Sequence, residues 1–479
     1  MSPTSYRTAP PRTLIVATAA HRVKPRRAHV ADGKNRRCLR DMRFLFLTSL
    51  KVPASRDLAL QRVKWIGRLP CGGPRRTPVW MSHENHSAPK AHRRRLLEPL
   101  LHLGFALTGV GTVMLGSILP WLSAQWHLRD KDAGLLLLVQ FAASASGALL
   151  VRRNLWKALA CGYGLMGAGA IGIFLLQQRS LPAFGVYGLG LGLAMTSTNM
   201  LTGRRYPQRM GAALALLNFS WSAGAVACPL LLAQFLRHAT SGAAFALVGL
   251  LALPFGLLPL LADRDDLEAS ASTGPTPVGT REATTILYFA VLAFLYVGIE
   301  ASVGNWMSTY ATRATAWTFA GSTLAVALFW AALLLGRAMT PAILAWVPER
   351  RLYRAAVFAT IAGVLLLLAA HRPLTILVGS ALSGLALAPL FPLILALFLV
   401  EIGGSRNAGW VFAVAGLGGA VLSWLTGTIS TGTGSLRIGL LVPGAAALLM
   451  LVMISWRRMG RGSGAKQQAV LESTISGKI

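Results

Sequence analysis

Acidic residues are scarce in this chain. Its 479 residues hold 16 Asp and Glu against 47 Lys and Arg, and charged residues of both signs make up only 13%. A water-soluble domain carries about 25% charged residues, so a string of soluble domains is excluded as a first reading. Cysteine is scarce too. Cys38, Cys71, Cys161 and Cys228 show no CxxC and no Cys/His spacing, which supports neither a disulfide framework nor a zinc site. The nine histidines are scattered rather than clustered, against a membrane enzyme that works by metal or acid–base chemistry. No G-x-x-x-x-G-K-[ST] loop occurs, so ATP is not the direct source of energy. No cofactor and no metal are expected.

What is abundant is apolar sequence. Hydrophobic residues make up 54% and the mean hydropathy is +0.54. The apolar runs have the length of about 20 residues that crosses a bilayer as a helix. Twelve are visible, at 98–122, 133–151, 158–176, 182–202, 210–235 and 242–261, then 284–308, 316–336, 353–370, 373–399, 407–428 and 436–456. Membrane barrels use alternating segments of about 10 residues; these runs are too long and too uniformly apolar. The expected fold is an all-α integral membrane protein.

The net charge of +31 suggests a nucleic-acid binder until it is located. Residues 1–95 alone hold 22 Lys and Arg and 4 Asp and Glu. Residues 1–80 are rich in Arg and Pro and show no sustained period. Their best apolar run, FLFLTSL at 44–50, is too short to span a bilayer. A patch for nucleic acid or anionic lipid, an Arg-rich transit peptide and a segment outside the mature protein all fit. The sequence favours the last. Met81 opens MSHENHSAPKAHRRRLLEPLLHL, a short polar start with arginines just before the first apolar run, as cytoplasmic N-termini of polytopic proteins begin. No nucleic-acid partner is expected.

Loop charges set the orientation. With the N-terminus inside, the cytoplasmic breaks hold thirteen basic residues, among them Arg152, Arg153, Arg204, Arg205, Arg337, Arg350 and Arg351. The opposite breaks hold seven, among them Arg129, Lys131, Arg313 and Arg437. Both termini are therefore expected in the cytoplasm. Residues 262–282 (ADRDDLEASASTGPTPVGTRE) carry five acids with Pro, Gly and Ser and read as a flexible linker. The expected organisation is a basic head, 1–80; a cytoplasmic N-terminus, 81–96; a six-helix bundle, 97–261; a linker, 262–283; a second six-helix bundle, 284–456; and a cytoplasmic tail, 457–479. The halves echo each other: AGAVACPL at 223–230 aligns with GGAVLSWL at 418–425, which matches Gly224 with Gly419. Duplicated six-helix halves around a central cavity are a transporter architecture.

Over residues 97–456 the chain resembles the major facilitator superfamily. The loop signature G-x-x-x-D-R-x-G-R-R survives after the second run only as Gly147 and Arg152, and the second half keeps Gly336-Arg337 and PERR at 348–351. Four segments resemble the fucose permease branch of sugar:proton symporters. They are LNFSWSAGAVACP at 217–229, LYVGIEASVGNWMSTYA at 295–311, SGLALAPLFPLILAL at 383–397 and NAGWVFAVAGLGGAVLSWLTG at 407–427. That branch carries coupling carboxylates in its first and fourth helices, and this chain has no acid in either. The resemblance implies two six-helix halves and a polar small-molecule substrate, with that coupling scheme in doubt.

An ionisable group deep in a bilayer costs several kcal/mol and usually has a reason. Glu300 is the acid well inside a span and is the candidate for substrate binding and for proton coupling. Glu98, Glu401 and Arg337 fall at span ends, where they can reach water; His102 lies about one turn inside the first run. Sugar hydroxyls need amide and hydroxyl partners and an aromatic plane. Gln140, Asn199, Asn218 and Tyr296 are the further candidate binding residues, with Trp306, Trp221 or Trp330 as the plane. The bland alternatives are helix–helix hydrogen bonds, worth under about 1 kcal/mol each in a membrane, and interfacial tryptophans. Arg152 and Arg337 occupy matching positions and are candidate cytoplasmic gates. The chain thus reads as a monomeric, multi-pass transporter of the cell (inner) membrane for a small sugar-like solute, with the proton as candidate co-substrate. The alternative is proton-coupled export of a drug or metabolite; a non-transporting sensor on the same fold and a membrane enzyme rank lower.

Overall fold

The computed structural model describes residues 88–151, 154–262, 280–315, 317–402 and 408–454; the basic head, Arg152 and most of the linker lie outside them. Twelve helices stand among the described residues. The first six are α1 (Ala88–Trp126), α2 (Asp130–Leu150), α3 (Leu155–Leu176), α4 (Leu181–Arg205), α5 (Met210–Phe235) and α6 (Ser241–Ala252, continued by a 3-10 stretch Leu253–Leu261). The second six are α7 (Thr280–Thr315), α8 (Phe319–Leu344), α9 (Glu349–Leu368), α10 (Pro373–Leu387 and Leu390–Ile402), α11 (Ala408–Thr433) and α12 (Leu436–Ile454). Lipid offers the backbone no hydrogen bonds, so a chain this apolar must satisfy its own as helices. Side-chain caps set several starts: Asn154, Thr240 and Thr318 each accept from the amide three residues on, an orphan donor at a helix start.

Eleven of the helices are long and apolar enough to cross a membrane. The one left out is α4, which is 25 residues long but carries Thr196, Ser197, Thr198 and Asn199. It can be this polar because it packs against both α2 and α3. Three boundaries differ from the sequence reading. The seventh helix continues past 308 to Thr315. The eighth runs to Leu344, which puts Arg337 inside a helix and not in a loop. The tenth breaks at Ala388-Pro389, where proline cannot donate to the helix ladder.

The duplication is visible in the packing, one residue away from the sequence echo. A Cβ on Gly224 of α5 would sit 1.9 Å from the Ala106 carbonyl oxygen of α1, and one on Gly418 of α11 would sit 1.9 Å from that of Phe294 on α7. Only glycine permits so close a backbone approach. Gly224 therefore corresponds to Gly418, not to Gly419, whose Cβ would meet nothing nearer than 3.2 Å.

The two ends of the bundle differ. At the end holding residues 127–129 and 317–318, α1 is buried throughout 113–119 and α7 throughout 301–311. At the opposite end no residue of α7 283–288 or of α5 210–216 is buried. A helix packed on one face shows a buried stripe. Helix segments with none are loosely packed on every face. By this burial pattern the halves pack shut at the first end and are parted at the second.

Candidate functional site

Tyr296 and Glu300 stand one turn apart on one face of α7, the spacing that brings side chains together on a helix. The Tyr296 hydroxyl donates to the Glu300 carboxylate. Arg337 reaches in from α8: its Nη2 donates to Glu300 Oε2 at 3.1 Å and to the Tyr296 oxygen at 3.0 Å. Phe391 of α10 stacks on the Tyr296 ring, centroids 5.4 Å apart. The charges neutralise each other, which is what lets both sit inside the protein. They are not sealed in, because the Arg337 and Glu300 side chains remain 24% and 12% exposed. This cluster lies near the middle of α7 and well within α8. The sequence offered Glu300 and Tyr296 as candidates and read Arg337 as a gate at a span end.

The first half carries amides and hydroxyls of its own on α1, α2, α4 and α5. Gln140 of α2 is buried and donates its Nε2 to the Thr112 carbonyl at 3.4 Å, while its Oε1 has no hydrogen-bond partner. Thr112 donates to the Thr108 carbonyl at 2.7 Å and lies against Met195 of α4. Asn199 and Asn218 each turn the amide N–H back to the carbonyl four residues earlier, at 2.9 and 2.8 Å. Asn199 is half-buried and Asn218 exposed, on stretches of α4 and α5 toward the parted end. His102 of α1 bonds Ser220 of α5 at 2.8 Å.

Trp306 departs from the expected role. It is fully buried, and its indole N–H is already donated to the Ser423 carbonyl of α11 at 2.9 Å, so it fastens α7 to α11. Trp221 of α5 and Trp330 of α8 stand instead at the seam between the halves, with ring centroids 5.6 Å apart. Neither has a partner for its indole N–H. Asn305 of α7, whose Nδ2 also lacks one, meets α1 where a Cβ on Gly116 would lie 2.5 Å from its side-chain oxygen. Of the two candidate gates, Arg152 lies outside the described residues.

A chain of twelve helices in two similar halves, with a polar cluster buried midway and one end parted, has the form of a solute carrier. The model of the Major Facilitator Superfamily matches residues 101–405. This chain belongs to the Major Facilitator Superfamily. The glucose/mannose transporter GlcP of Bacillus subtilis (strain 168) is 24% identical over 383 residues, 74% of this chain and 93% of that protein. Among solved structures, a POT family transporter in complex with 5-aminolevulinic acid aligns with a TM-score of 0.60 at 14% identity, covering 76% of this chain and 96% of that one. The superfamily transporter FucP, in its outward conformation, aligns with a TM-score of 0.53 at 16% identity, covering 77% of this chain and 98% of that one. The superfamily member described here is thus a multi-pass membrane transporter.

Proposed function

We propose that this transporter moves a small polar, sugar-like solute across the cell membrane by alternating access, with the solute held between the Gln140 wall of the first half and the Glu300–Tyr296–Arg337 cluster of the second. The cluster carries the reading. A carboxylate and a guanidinium side by side offer charge-assisted acceptors and donors, so adjacent hydroxyls of one sugar can donate to Glu300 and accept from Arg337. The cluster has no net charge, which suits a neutral solute. GlcP, named as a glucose/mannose transporter, supports the same substrate class. Asn199 and Asn218 line the way in from the parted end, and Trp221 and Trp330 offer aromatic planes beside free N–H groups. With the N-terminus inside, as the loop charges indicate, the parted end faces the cytoplasm.

Proton coupling would run through Glu300, since α4 has no acid and the one acid of α1, Glu98, stands half-exposed at the start of its span, 3.9 Å from Arg205. Protonating Glu300 would release Arg337. That arrangement favours a binding and coupling role for Arg337 over a gate at the membrane surface.

The test is uptake of labelled glucose, mannose and fucose into liposomes carrying the purified chain, with and without a pH gradient. Saturable uptake of one hexose, competed by the unlabelled sugar, is expected. Absence of hexose uptake and of hexose binding would overturn the sugar reading.

A further inference from the structure

Asp130, the first residue of α2, is tied to the other half of the molecule by both carboxylate oxygens. Arg313, near the end of α7, donates Nη1 to Oδ2 and Nη2 to Oδ1, each at 2.7 Å. Ser430 of α11 adds a third bond to Oδ2 at 2.5 Å, and the next residue, Lys131, donates its backbone N–H to Thr431 at 2.8 Å. All of these contacts cross between halves. A paired fork of this kind fixes geometry as well as charge. The Asp130 side chain is 8% exposed, so stripping away its partner would leave a nearly buried charge unpaired. The adjoining pair, Arg129 with Asp132 at 2.9 Å, differs in kind: it is exposed and lies within one half.

We propose that Asp130 and Arg313 form the gate of the shut end, a clasp that holds α2 to α7 and α11 and must open before the solute site can face that side. Its position fits. The buried stretches of α1 and α7 lie on the same end, and a Cβ on Gly427 of α11 would meet the Asp130 carbonyl oxygen at 2.3 Å, so the two halves come into close backbone contact beside the ion pair. Removing either charge should shift the population toward the state open at this end. The proposal rests on alternating access and not on the identity of the solute.

Two cysteine reporters read this without any substrate, in the full chain with its native cysteines replaced. Asn305→Cys lies buried on the shut seam, and Asn218→Cys lies exposed toward the parted end. Maleimide labelling in detergent should show Asn305→Cys reacting about tenfold faster in Asp130→Asn or Arg313→Gln, equivalent to about 1.4 kcal/mol. Asn218→Cys should react more slowly in the same proteins. The double variant should match the single ones, because the two residues act as one unit. Ser430→Ala, which keeps every charge, should shift both reporters the same way by a smaller factor, and Arg129→Gln should shift neither. Unchanged labelling, additive effects in the double variant, equal opening by Arg129→Gln, or both reporters speeding up together would overturn the clasp. Since no sugar is present, a failed hexose assay leaves this result standing.

Discussion

Trp221 and Trp330 meet nearly edge to face, at 77°, across the seam between the two halves, and each keeps its indole N–H without a partner. A buried donor left unsatisfied costs about 1–3 kcal/mol. Two such donors on opposite sides of a movable seam are suited to a ligand or to water that enters when the seam shifts. Trp330→Phe removes one unpaired donor at the cost of some packing. Its thermal unfolding in detergent should change by no more than about 1 kcal/mol, since the two effects oppose. Affinity for the transported sugar should fall about fivefold, the loss of roughly one hydrogen bond. Unchanged affinity would remove Trp330 from the site.

Glu300→Gln and Arg337→Gln each leave the other partner of the pair without its counter-charge. Truncating one member of a desolvated pair costs about 2–5 kcal/mol, and the lower part of that range applies because Arg337 retains some water. Both variants should lose at least about thirtyfold in sugar affinity, with the double variant no worse than either. If Glu300 serves coupling alone, Glu300→Gln keeps counterflow exchange and loses only accumulation against a gradient. Comparing counterflow with gradient-driven uptake separates the two roles.

Gly418→Ala drives a methyl group into the Phe294 carbonyl, and Gly224→Ala does the same to Ala106 in the other half. Backbone cannot yield as a flexible side chain does, so each should destabilise by about 1–3 kcal/mol or more. Gly432, also on α11, has nothing within 4 Å of its Cβ position, and Gly432→Ala should be silent. Thermal unfolding of the three purified proteins in detergent tests the correspondence of Gly224 with Gly418.

Gly427→Ala would push α11 off the start of α2, since its methyl group would meet the Asp130 carbonyl oxygen and the Trp306 ring, at 2.3 and 2.7 Å. The shut end should loosen without any change of charge. The measurement is faster labelling of Asn305→Cys, and no change would mean that the helices adjust locally.

The sequence carried the helix number, the two halves and the seventh-helix pair Tyr296 and Glu300, because apolar runs and an acid in the middle of one are local signals. Arg337 was misplaced for a physical reason. A basic residue ends an apolar run when the run is read alone, yet inside the bundle Glu300 and Tyr296 from another helix offset its charge. Asp130 and Arg313 were hidden in the same way, as ordinary charges at span ends. Trp306 had the right chemistry for a sugar plane, but the direction of its indole N–H depends on α11. The seventh apolar run was read as ending at 308, whereas the helix goes on to Thr315 and is buried through 311. Contacts 117 residues apart for Trp306 and Ser423, or 183 for Arg313 and Asp130, leave no periodic trace.

That buried stretch of α7 bears on turnover. Between residues 301 and 311 it presents Ser302, Asn305, Ser308 and Thr309, all buried where the halves are shut. A seal of leucine and phenylalanine would gain heavily from excluding water and would be slow to part. Here Ser302 Oγ, Asn305 Nδ2 and Thr309 Oγ1 have no hydrogen-bond partner, and a film of water would satisfy them. The buried stretch is thus biased toward parting, and the polar bonds between Asp130, Arg313 and Ser430 are what that bias works against.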